Sequence, residues 1–218
     1  IIVVPNSTDY GGICQMWDDG SAIAFCPKST YGYPLDTRGV VQHEAGGHGF
    51  GKLADEYIYH NAFIDACQCT CCPHVMEFNA GKAKGWYANL ALTGKMHEVP
   101  WSHLIYDSRY SDIVDIYEGG YMHSRGVFRS EQNSCMNNDI PYYSTISREA
   151  IVKRIMQYAG ETYSFEKFVA NDKRDVITET RASSIGSSRS ASSFESAPRI
   201  HRGSPLTSLK KRAARRHR

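Results

Sequence analysis

The chain has 218 residues and a formal net charge of +2, enough for one substantial domain. No run of about 18 apolar residues occurs, which excludes a membrane-spanning helix, and the opening IIVVPNS lacks the charged n-region and small-residue cleavage site of a signal peptide. Charge divides the chain: residues 181–218 hold ten Lys and Arg against one acid, a net of +9, so residues 1–180 carry 2 − 9 = −7.

In chain order, IIVVPNS reads as a buried strand, and a chain that opens on a core strand without Met reads as part of something longer. GGICQMWDDGSAIAFCP reads as a loop, a DDG turn and a short strand over Ala22–Phe25, with Cys14 and Cys26 placed to bridge the hairpin. Residues 38–57 carry a helical pattern with Val40, Val41, Phe50 and Leu53 as apolar members. Residues 58–100 read as irregular, with a short helix near Ala80–Leu92. The seven Cys, four of them in CQCTCC (Cys67, Cys69, Cys71, Cys72), point to an oxidising compartment with disulfides. The alternative is a second zinc site at CQCTCC. An odd count leaves at least one thiol unpaired within the chain.

YEGGYMHSRGVFR reads as a hairpin, Tyr117–Tyr121 into Val127–Arg129, and SCMNNDIPYYS as a turn. A helix follows, capped by Ser147 and stopped by Gly160. Ile146, Ile151, Val152, Ile155, Met156 and Tyr158 form its apolar stripe. From about residue 176 the chain is Ser- and Arg-rich with few large apolar side chains, a composition that cannot offset its ordering entropy. The expected organisation is an α+β domain over residues 1–175 and a disordered basic tail over 176–218.

The chemistry concentrates in QHEAGGHGFGKLADEY, residues 42–57. Two histidines four residues apart on an α-helix share one face and can hold zinc, with a glutamate after the first acting on water. Here His43 and Glu44 are followed by His48, five residues on, which leaves the rings about 140° apart on a regular helix. A π-bulge restores the alignment. Gly46 and Gly47 weaken a regular helix and suit such a distortion. A third ligand is then required, and Asp55 or Glu56 follows the turn at Gly51. The remaining histidines, His60, His74, His97, His103 and His123, have no ligand spacing and read as structural or exposed.

HEAGGHGFGKLADEY resembles the zinc helix of the IgA-peptidase family of bacterial metallopeptidases, the igalysins of the metzincin clan. IIVVPNSTDYGG, VPWSHL and SCMNNDIPYYSTISREAIVKRI resemble further segments of that family, so that the likeness covers roughly residues 1–165. The resemblance implies a metzincin-like catalytic domain lacking its N-terminal strand and helix, with a zinc helix and a C-terminal helix after a Met-turn. It implies His43, His48 and Asp55 as zinc ligands and Glu44 as the general base. Glu56 stays open as the other ligand or as a supporting partner. Met136 would lie beneath the metal. The tyrosine that many metzincins place just after that Met is absent here, where Asn137 and Asn138 follow, and Tyr142 and Tyr143 are the nearest. The strand Ala22–Phe25 stands where the family has the edge strand that pairs with an extended substrate.

The resulting expectation is a secreted, periplasmic or cell-surface zinc endopeptidase. It is expected to be a monomer acting on a protein or peptide, with no specific nucleic-acid partner. A non-catalytic binding module of the same fold and a zinc amidase or deacetylase are the alternatives.

Overall fold

A computed structural model of the chain describes residues 1–9, 11–64, 74–173 and 200–205. The four cysteines of CQCTCC and most of the basic tail, with the expectations attached to them, lie outside the described residues. The architecture is mixed α+β, with two open four-stranded sheets. No helix among the described residues is long and apolar enough to cross a membrane.

The first sheet contains β1 (Ile2–Val3), β2 (Ile13–Trp17), β3 (Ala22–Phe25) and β8 (Ile200–His201) in the order β1-β3-β2-β8. β2 and β3 form the expected hairpin around Asp18–Gly20, with Cys14 opposite Ala24. That register corrects two expectations. Cys14 and Cys26 are diagonal neighbours, about 7–8 Å apart in such a ladder, too far for an S–S bond, and both are buried free thiols. In addition, β3 is not an edge strand, because β1 pairs with it in parallel on its other side. β1 itself is an edge rather than a buried strand, with Ile2 57% exposed. The other edge is β8, a described piece of the basic tail. It runs parallel to β2 and its His201 carbonyl accepts the Asp18 N–H at 2.8 Å.

Helix α1 (Thr37–Val41) is capped by Asp36 and continues without a break into a π-helical segment, Gln42–Gly51. Helical geometry stops at Lys52, whose φ of 55° is left-handed. The predicted helix to residue 57 is therefore six residues too long. Residues 52–57 leave the helix and lead into β4 (Ile58–Phe63), a strand that the irregular reading of 58–100 missed. Helix α2 (His74–Ala83) lies upstream of the helix expected near Ala80–Leu92, where β5 (Leu90–Ala91) forms instead. β6 (Tyr117–Gly120) and β7 (Met122–Arg129) make the expected hairpin. In this second sheet β7 also pairs with β4 in parallel and with β5 antiparallel.

Helices α3 (Ser102–Ile105), α4 (Cys135–Asn138), α5 (Thr145–Ala159) and α6 (Phe165–Asn171) complete the domain. α5 starts at Thr145 rather than after Ser147, which is buried and hydrogen-bonded to Ser144 Oγ at 2.7 Å. Gly160 ends it in the left-handed conformation, as expected. One core cluster joins the first sheet to α2 and the second sheet through Met16, Tyr57, Phe78, Tyr87, Leu90 and Tyr121. A second packs α3, α5 and α6 around the fully buried Trp101 of the VPWSHL segment, whose indole donates to the Asp115 carbonyl at 2.9 Å. The first cluster takes in Val40, Val41 and Ala45 and so braces the segment that carries the histidines.

Candidate metal centre

The π-helical geometry of residues 42–51 places residues five apart nearly above one another. His43 and His48 accordingly face each other, with their Nε2 atoms 3.1 Å apart. Asp55 arrives from the extended chain beyond the helix, and its Oδ1 lies 3.0 Å from His43 Nε2 and 3.1 Å from His48 Nε2. All three residues are buried. They form the one group among the described residues with three ligand atoms within 4.8 Å of one another.

The hydrogen bonds around this triangle decide what it can hold. His43 Nδ1 lies 2.8 Å from the Cys135 carbonyl, and His48 Nδ1 lies 2.8 Å from the Leu53 carbonyl. A carbonyl only accepts, so each Nδ1 carries the proton and donates it outward. Both Nε2 lone pairs then point at each other and at a carboxylate oxygen. The Oδ2 of Asp55 is also buried without a hydrogen-bond partner. Three electron-pair donors converging in a buried space are costly unless a cation joins them. Ligands on a tetrahedral zinc ion stand about 3.3 Å apart, close to the 3.0–3.1 Å edges here. The residues fit a metal ion.

The surrounding residues hold this triangle in place. Met136 is fully buried and packs against the π segment, and a Cβ on Gly47 would overlap its Sδ. A Cβ on Gly46 would likewise overlap the Tyr143 hydroxyl, which donates to the Gln42 carbonyl at the start of the π segment. Tyr143 thus anchors the helix backbone. Glu56, the alternative ligand, points away from the triangle. Its carboxylate accepts from Asn89 Nδ2 at 2.9 Å and Ser134 Oγ at 2.5 Å, and its N–H donates to the Met136 carbonyl at 2.7 Å. It ties the chain around Asp55 to the segment around Met136. Glu44 is buried, with its carboxylate beside Gly12, where any side chain would come within 2.7 Å of Oε1. Burial, with Glu44 adding to it, pushes the Cys14 thiol up to about 12 and that of Cys26 to about 11, so neither thiol is reactive.

Two supporting residues were not evident from sequence. Asn89 clamps the chain just before Asp55, accepting from the Ala54 N–H at 2.9 Å and donating to its carbonyl at 2.8 Å. Asp139 places Oδ1 2.9 Å from His43 Nδ1, so a carboxylate stands within ion-pair range of the ring whose proton goes to the Cys135 carbonyl. Such partners raise ligand basicity and fix the ring. Asp139→Asn keeps the shape, and asparagine tolerates the left-handed φ of 62° found there. It is expected to weaken metal affinity by about 10–100-fold. A chelator-competition titration measures this, and an unchanged affinity would show that Asp139 does not tune the site.

No family model matches the chain, and no curated protein matches it.

Proposed function

We propose that the chain is a zinc-dependent endopeptidase with a metzincin-like catalytic domain. The observation that carries the reading is the buried triangle of His43 Nε2, His48 Nε2 and Asp55 Oδ1, with both imidazole protons directed away from it. Two imidazoles and one carboxylate oxygen are a ligand set for zinc that leaves a fourth position open. Zinc bound there supplies Lewis-acid chemistry, polarising a carbonyl and lowering the pKa of water.

The chain's own residues do the rest. Glu44, next to the first ligand, takes a proton from water as it attacks the peptide carbonyl and returns it to the departing amine. Met136 and Tyr143 keep the π segment in register, and Glu56 with Asn89 fixes the chain around Asp55. An extended peptide finds a docking edge on β2. β8 pairs with that edge only at Met16 and Trp17. Ile13–Gln15, which follow the Gly12 that abuts Glu44, have no strand on that side among the described residues. Backbone pairing there lays a peptide past the base. This edge favours peptides over a small amide substrate. A secreted or periplasmic site of action accords with this reading.

Zinc removal tests the proposal. Dialysis against a chelator is expected to abolish cleavage of an unfolded protein substrate, and stoichiometric zinc to restore it, as followed by mass spectrometry of the fragments. Zinc-loaded protein that cuts no peptide bond in a broad peptide library would sink the peptidase reading.

A further inference from the structure

A second group of imidazoles meets on the other sheet. β4 and β7 run parallel with His60 opposite His123, so both side chains lie on one face. His74, the first residue of α2, reaches the same place, with Nδ1 2.8 Å from His123 Nε2. The ring centres of His74 and His60 stand 5.1 Å and 5.6 Å from that of His123. His123 is 6% exposed, and the other two rings are half-buried. Burial, with His74 and His60 adding to it, pushes the His123 pKa down to about 4. The ring is therefore neutral near pH 7, the form in which imidazole has a lone pair for a cation.

We propose that His74 and His123, with His60 as a third donor, form a second site for a borderline divalent cation such as zinc, separate from the His43, His48 and Asp55 centre. Imidazole nitrogens suit zinc, copper or nickel rather than calcium or magnesium, which take oxygen ligands. The His74–His123 separation is about 0.5 Å below that of two ligands on tetrahedral zinc. As they stand, the three histidines do not bring three nitrogens within 4.8 Å of one another, so holding the ion requires a small outward shift of α2 and a turn of the His60 side chain. The donors come from β4, α2 and β7, three separate elements of the chain. An ion there staples α2 to the second sheet, a structural rather than a hydrolytic role.

Zinc content of the full chain, after saturation and desalting, tests the site. About two ions per chain are expected for the wild type, about one for His43→Ala and about one for His74→Gln. His74 is half-buried on the first turn of α2, and circular dichroism checks that the variant folds. If it does not, His60→Gln serves instead, with a weakened second binding event expected in the zinc titration. Nitrogen-15 spectra of the histidine rings add a direct readout, since zinc should shift His74 and His123 in the His43→Ala protein. A wild type that saturates at about one ion, a folded His74→Gln that still holds two, or ring resonances indifferent to zinc would each overturn the proposal and leave a simple N–H···N hydrogen bond.

Discussion

Glu44→Gln is expected to keep its metal and lose its hydrolysis, with kcat falling by about 10²–10⁴-fold, the usual contribution of a positioned general base. The structural cost should be small. Glu44 is buried at the π segment with its carboxylate against Gly12, and glutamine has nearly the same shape. None of the three ligand atoms belongs to it. What changes is proton affinity: an amide cannot take a proton from attacking water. The two measurements are zinc content and steady-state cleavage of a fluorogenic peptide. Retained zinc with a kcat within a few-fold of wild type would remove Glu44 from the mechanism. Lost zinc would show that it has a structural role that the geometry does not reveal.

Gly39→Ala should do the reverse and damage the metal centre without touching a ligand. Gly39 lies buried in α1, one turn before His43. A Cβ there would overlap the backbone carbonyl of Asp139 and stand 2.9 Å from its carbonyl carbon. Backbone cannot step aside as a side chain does, so α4 and the following turn must move. Overpacking of this kind costs about 1–3 kcal/mol, sometimes more. The displaced segment holds Asp139 and the Cys135 carbonyl, both of which contact His43 Nδ1. Metal affinity should therefore fall together with Tm. Gly32→Ala is the control, since nothing lies within 4 Å of a Cβ there and its backbone is unstrained. If Gly39→Ala unfolds at the wild-type temperature and binds zinc as tightly, the contact between α1 and the turn is not what orients His43.

Where the local chain decided the structure, it could be read directly. Strand Ala22–Phe25, the hairpin before Arg129 and the stop at Gly160 follow from turn residues and alternation. The five-residue histidine spacing was legible because Gly46 and Gly47 sit inside it, although the π geometry extends over ten residues rather than one turn. Misreadings arose where distant chain decides. Residue 24 is opposite both a preceding strand and its hairpin partner, so β3 became interior. Asp139 has no spacing relation to His43, and its role depends on how α4 docks. His60 and His123 meet only because β4 and β7 pair in parallel across a long connection. The choice of Asp55 over Glu56 turned on Asn89 and Ser134, which hold the Glu56 carboxylate.

The bond from His43 to the Cys135 carbonyl spans 92 residues. During synthesis on a ribosome, His43, His48 and Asp55 leave the exit tunnel well before the residue that aims the first of them. At about 5–20 residues per second, this gap lasts roughly 5–20 s. Until it closes, the nascent chain has ligands without a fixed geometry, and assembly of the centre waits on the second half of the domain. On the peptidase reading proposed above, the unfinished chain carries no assembled site.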